Sequence, residues 1–172
     1  MPFRAVASGK VEVYRFPFVA ILLVSFLGLA LQSYLPLHFR FVTLLDLPLL
    51  VVIYFALTRR SPIEALLVGA IIGMGQDSLT RGPIGLFGAV KTVIGYVTST
   101  VSFHMDTESA AVRFLTSFAL YGLHSVLVYL AGAVLLGQPM DWDGRARLIG
   151  ALVNALVGVL LFKVLDRFRQ PA

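Results

Sequence analysis

Cysteine is missing from the 172 residues, and only 13% of them are charged. The first absence removes disulfides, thiolate nucleophiles and thiolate metal sites together. The second leaves about half of the roughly 25% charged fraction that a soluble domain carries. Histidine is scarce as well: His38, His104 and His124 fall on three different segments, with none of the spacings of a metal-ligand set. No P-loop and no nucleophile–base pair can be read along the chain. The run Gly73-Met74-Gly75 lacks the strand-to-helix context of a dinucleotide site. The sequence therefore offers no catalytic residue, no cofactor site and no metal site, and the chain reads as non-enzymatic.

What is abundant is apolar. Hydrophobic residues make up 58% of the chain and the mean hydropathy is +0.88. A helix needs about 20 apolar residues to cross a hydrocarbon core of about 30 Å. By that arithmetic most of the chain is committed to crossing. The expected fold is all-α: a polytopic integral membrane protein with six transmembrane helices in one compact bundle. Apolar spans are read at 16–35, 40–57, 62–79, 83–103, 109–136 and 146–166. They are flanked by an N-terminal segment (1–15) and a short tail (167–172). The first span is longer than a signal-peptide core and lacks a small-x-small cleavage site, so it reads as a retained anchor.

Helix punctuation falls between the spans. Pro36 closes the first. Ser61-Pro62-Ile63-Glu64 has the form of a capping box with proline at the first helical position. Gly82-Pro83 opens the fourth span, and Asp143 is placed to cap the sixth. Pro48, inside the second span, is expected to kink it and free the carbonyl of Leu44.

The net charge of +5 comes from basic residues grouped between the spans, which suits anionic head groups better than nucleic acid. One side would hold Arg4, Lys10, Arg15, Arg59, Arg60, Arg113, Lys163, Arg167 and Arg169. The other would hold Arg40, Arg81, Arg145 and Arg147. The positive-inside rule then puts both termini in the cytoplasm.

Ionisable residues inside such spans are expensive and mark the working surface. At about 1.5 Å per residue, Asp46 lies roughly 9 Å below the outer surface, and Lys91 and Asn154 roughly 12 Å. His124 lies nearer the midplane, and Asp77 at the outer mouth of the third span. Asp46, Lys91, His124 and Asn154 thus form an expected intramembrane polar layer, with Asp46 and Lys91 as its ion pair. Asp77 is left to face Arg81 or to cap the loop before Pro83. A proton or ion relay would need titratable groups through the whole thickness, and the inner half reads as having none.

Gly69, Gly73 and Asp77 share a face of the third span, and Gly150, Asn154 and Gly158 a face of the sixth. Small-xxx-small spacing permits close helix approach, either within the bundle or to a partner. Gly82, Gly85 and Gly88 suit a tight hairpin.

The stretch Gly69-Ala-Ile-Ile-Gly73-Met-Gly75-Gln-Asp77, followed after a short turn by Gly85, resembles the core of the rod shape-determining protein MreD family. The aspartate after paired glycines and the glycine opening the next helix carry the likeness. Pro48 in a second span that ends in a basic turn also fits, and size and layout extend it over nearly the whole chain. The resemblance implies a subunit of the bacterial cell-elongation (rod) complex in the inner membrane. Its expected partners are an MreC-like bitopic protein, a RodA-like glycosyltransferase, a class B penicillin-binding transpeptidase, MreB-like filaments and membrane lipids. The role implied is to help control cell shape by linking peptidoglycan synthesis to the cytoskeleton. A second family of similar size, the substrate-binding subunits of energy-coupling-factor transporters, is an alternative. The Ala-x-x-x-Ala face common in their first helix is missing, since Ala20 is followed four residues on by Val24.

Overall fold

The computed structural model describes residues 14–15, 18–39, 43–80, 83–137, 141–168 and 170–171. Among them are six α-helices: α1 (Phe18–Tyr34), α2 (Leu47–Arg59), α3 (Pro62–Thr80), α4 (Leu86–Ser102), α5 (Ala110–Leu130) and α6 (Gly144–Leu165). The all-α expectation holds. A wide π-turn over Ala131–Leu135 extends α5. Residues 14–15 pair antiparallel with 170–171, which brings the segments before α1 and after α6 side by side. Three helical stretches are long and apolar enough to cross a membrane: Val19–Leu37, Ala110–Val134 and Gly144–Phe168.

The second span departs from the sequence reading. Its helix starts at Leu47, not near residue 40, and has 13 residues. At about 1.5 Å per residue it is about 20 Å long, short of the roughly 30 Å hydrocarbon core. Pro48 lies in the first turn, where a missing N–H costs nothing, so it starts the helix instead of kinking it. Every residue from Pro48 to Thr58 is buried. The short helix is the axis of the bundle and touches each of the other five.

Two hairpins wall that axis. In α3–α4 the small residues set the separation. A Cβ on Gly69 would strike the carbonyl of Lys91, and one on Gly73 the carbonyl of Phe87 and the Cα of Gly88. From the α4 side, a Cβ on Gly95 would strike the carbonyl of Ala65. In α5–α6, Gly150 makes room for the Tyr121 hydroxyl, and Gly158 for Ser117 and the central Leu50. Both small-residue faces are therefore occupied within the chain. Lipid tails are as apolar as leucine, so close packing of this kind drives helix association in a membrane.

α1 is different. Its span is 11% buried, against 39% for α5 and for α6. Val19, Leu23, Phe26 and Leu27 all face outward.

Some helix starts differ from expectation. α4 begins at Leu86, three residues after Pro83, with Gly85 before it at φ 98°, a conformation that favours glycine. Glu64 pairs with Arg59 across the turn, and a reciprocal capping box is not among the described hydrogen bonds. Asp143 caps α6 as expected, accepting from the N–H groups of Arg145 and Ala146. Gly82 and Arg81 lie outside the described residues.

Gly73→Ala should lower unfolding free energy by about 1–3 kcal/mol, the usual cost of overpacking. Gly122 of α5 faces open space, so Gly122→Ala should be neutral or stabilising by up to about 1 kcal/mol. Thermal unfolding of the two purified variants against the parent chain tests this. Equal melting temperatures would mean that the α3–α4 approach is not tight.

Candidate functional site: a polar layer around a buried helix start

Starting a helix part-way into a bundle leaves backbone groups without helical partners. Residues 44–47 pose that problem, and long-range side chains solve it. Asn154 of α6 donates from Nδ2 to the Leu44 carbonyl at 2.8 Å, and its Oδ1 accepts the Asp46 N–H at 2.9 Å. Gln32 of α1 donates to the Leu45 carbonyl at 2.8 Å and accepts the Leu47 N–H at 2.9 Å. Asp46 caps the helix itself, with Oδ1 accepting from the Leu49 N–H at 2.9 Å. Gln32 and Asn154 thus act as two clamps on one stretch of irregular chain.

The cap brings a negative charge into the interior, and Lys91 answers it. Its Nζ lies 2.8 Å from Asp46 Oδ2, and the lysine is wholly buried. The expected pair is formed. Lys91 also lies 3.3 Å from His124 Nε2 and 5.3 Å from the centre of the Phe87 ring. An ammonium has no lone pair, so Nε2 of His124 must be the acceptor and the imidazole proton sits on Nδ1. Asp46, Lys91, His124 and Asn154 therefore meet in one layer at the N-terminus of α2.

Asp77 does a separate job. Its Oδ2 accepts from the N–H groups of Gly85 and Gly88 at 2.9 and 3.0 Å, and its Oδ1 from Phe87 at 2.9 Å. It caps the start of α4, beyond Pro83, not the loop before it. The negative carboxylate also suits the positive end of the helix dipole.

A cavity of about 300 Å³ opens beside the layer, walled in part by Asp46, Gln76, Phe87, Tyr121, His124 and Arg147. A second compartment of about 340 Å³ lies between the ends of α1 and α3 and shares Gln32, Thr43 and Gln76 with the first. Gln32, Gln76, Tyr121 and Arg147 were not singled out from sequence. The signal for the two glutamines was available: each is an amide within a run read as membrane-spanning.

The opposite end of α2 holds another polar group, which corrects the expectation of an inner half without titratable residues. The Tyr54 hydroxyl donates to Asp166 Oδ1 at 3.2 Å, and Arg113 Nη1 donates to Asp166 Oδ2 at 2.6 Å. Between this group and Asp46 stand Leu49, Leu50, Val52 and Ile53, all inaccessible to solvent. Two polar ends separated by such an apolar stretch do not make a relay.

No family model matches the chain, and neither a curated protein nor a solved structure matches it.

Asp46→Ala removes a cap and strands Lys91, so it should cost about 3–5 kcal/mol of stability. The double change Asp46→Asn with Lys91→Met keeps an acceptor for the Leu49 N–H, removes both charges and should recover most of that loss. Denaturant unfolding measures both variants. A double variant no better than the single would show that the pair is not the source of the loss. Asp77→Ala leaves three N–H groups of the α3–α4 junction without their acceptor and should cost about 3 kcal/mol. Asp77→Asn, which retains one acceptor oxygen, should cost less in the same assay.

Proposed function

We propose that this chain is a non-enzymatic scaffold of the bacterial cell-elongation complex, embedded in the inner membrane by six crossings with both termini cytoplasmic. The observation that carries the reading is the use made of the residues in which it resembles the MreD family. Gly69, Gly73, Asp77 and Gly85 all serve one purpose, the tight joining of α3 to α4. Residues spent on rigidity suit a protein that holds others in place. The buried charges are likewise consumed by internal bonds, Asp46 with Lys91 and Arg113 with Asp166. The shared end of residues 14–15 and 170–171, with the excess of arginine and lysine assigned to that side, supports cytoplasmic termini.

α1 supplies the surface on which such a scaffold would receive a partner helix. It packs on α2 and α3 and leaves Val19, Leu23, Phe26 and Leu27 outward. The single membrane helix of an MreC-like protein is the partner of matching kind, with RodA-like, transpeptidase and MreB-like components joined directly or through it. The polar cavity favours a second reading, a substrate-binding subunit of an energy-coupling-factor transporter, because its walls join aromatic and hydrogen-bonding side chains as small-molecule sites do.

Affinity purification of the tagged full chain from its own membranes, with mass spectrometry of the co-purifying proteins, separates the readings. Recovery of MreC-like, RodA-like and transpeptidase components is expected, and Phe26→Ala with Leu23→Ala should reduce the MreC-like yield. Recovery of paired ATPases with a coupling membrane protein would assign the chain to transport. Neither set at native expression would defeat the scaffold reading.

A further inference from the structure

We propose that the two polar compartments form one binding site for the head group of a membrane phospholipid, a phosphodiester that also carries a hydroxyl or ammonium donor. The proposal rests on the membrane reading above and not on the identity of any protein partner.

Gln76 is the first observation. Only 6% of it is exposed, it lines both compartments, and its Oε1 has no hydrogen-bond partner among the described residues. A buried amide oxygen left unpaired is costly, and a small turn of the side chain toward either compartment would give it a donor from a bound ligand. Gln32, its neighbour in both compartments, is not available, because both ends of its amide hold the chain at residues 45–47.

Charge gives the second half of the ligand. Asp46 and Arg147 both line the compartment beside the start of α2, but the Asp46 carboxylate is neutralised by Lys91. Among the described residues, no other carboxylate on the cavity walls offsets Arg147. A guanidinium binds a phosphate through two parallel N–H donors. The tyrosine hydroxyl of Tyr121 and the imidazole of His124 line the same compartment and add hydrogen-bonding capacity. An anion at Arg147 with a donor reaching Gln76 describes a substituted phosphodiester better than a bare ion or a neutral sugar.

The opening decides between a lipid and a free phosphate ester. The compartment between α1 and α3 has Ser33, Leu79 and Thr80 at its exposed rim, and Leu79 is 53% exposed. That mouth lies at the ends of the two helices, at head-group level on the membrane reading, and the outward Leu31, Leu27 and Leu23 of α1 run inward from it. Acyl chains attached to a head group would leave along those leucines. Each compartment has room for about ten water-sized groups, enough for a glycerol- or ethanolamine-bearing phosphate.

Native mass spectrometry of the full chain, purified in mild detergent and passed through graded washing, tests the site. The parent chain should keep one phospholipid, and recover it from phosphatidylglycerol or phosphatidylethanolamine vesicles after stripping. Arg147→Ala and Gln76→Leu should each lower retention by about tenfold, as loss of one charge-assisted or buried hydrogen bond dictates. Gln76→Leu should meanwhile melt at or above the parent temperature, because it removes an unpaired buried amide. If it fails to fold, Gln76→Met removes the amide with a more adaptable side chain and should lose the lipid in the same way. Equal retention in parent and variants would mean lipid held only on the outer surface, and would overturn the proposal. So would an empty parent chain that takes up no lipid from vesicles. Binding of free glycerol 3-phosphate without any lipid uptake would overturn it too, and reassign the site to a soluble ester. None of these outcomes depends on which proteins co-purify, so the scaffold reading stands or falls separately.

Discussion

A helix that begins in the middle of a bundle sets the terms for everything around it. Water at the surface would satisfy the free N–H groups at the start of α2 and the irregular chain before it. In this half-buried stretch side chains do it, and each group they serve is spared the cost of an unmade hydrogen bond. The chain spends Gln32, Asp46 and Asn154 on that requirement, drawn from α1, α2's own cap and α6. Asp46 is an effective cap for the first turn but carries a charge, and Lys91 is buried opposite it to answer that charge. The lysine in turn fixes the tautomer of His124. One backbone interruption thereby links α1, α2, α4, α5 and α6.

Bringing those five elements to one point requires thin helix contacts. Gly69, Gly73 and Gly95 let α3 and α4 approach until backbone meets backbone, and Gly150 and Gly158 leave room on α6 for the side chains of Tyr121, Ser117 and Leu50. With bulkier residues the hairpins would stand off, and Asn154 and Lys91 would not reach residues 44–46. Asp77 finishes the α3–α4 corner by capping α4, so the glycine stripe and the aspartate at its end form one device. At the far end, Arg60 reaches the loop at Met105 and Thr107 while Arg113 holds Asp166, so the axis is tied at both ends.

Much of this was legible in the sequence, and the exceptions have physical causes. Depth arithmetic paired Asp46 with Lys91 because two charges at equal depth in an apolar medium have few alternatives. Four-residue spacing found both small-residue faces, and helix punctuation found Asp143. The start of α2 was misplaced because hydropathy cannot distinguish an apolar helix from apolar irregular chain, and Leu44, Leu45 and Leu47 continue the greasy run. Pro48 marked the true start, but a proline reads as a first-turn residue only once the boundary is known. Gln32, Gln76 and Arg147 were passed over because a neutral amide or a mouth-side arginine stands out less than a mid-span charge. Asp166 was missed for another reason: its partners Tyr54 and Arg113 are more than fifty residues away, a proximity set wholly by helix packing.

The contrast between satisfied and unsatisfied polar groups separates framework from function in this layer. Asp46, Asn154, Asp77 and Gln32 have their polar atoms engaged within the protein, by backbone or, for Asp46 Oδ2, by Lys91, and a change at any of them disturbs folding first. Gln76 stands one residue from Asp77 on the same helix, equally buried, and its amide oxygen is given nothing by the protein. A packing purpose would be met better by leucine, which fits the space without an unpaired acceptor. Retaining an amide where the fold has no use for one makes sense if something else supplies its partner. The neighbours matter here, because hydrogen bonds at residues 44–47 and 85–88 hold part of the cavity wall in place. A ligand entering such a site loses little to reorganising the protein, so modest contacts at Gln76 and Arg147 are enough to hold it.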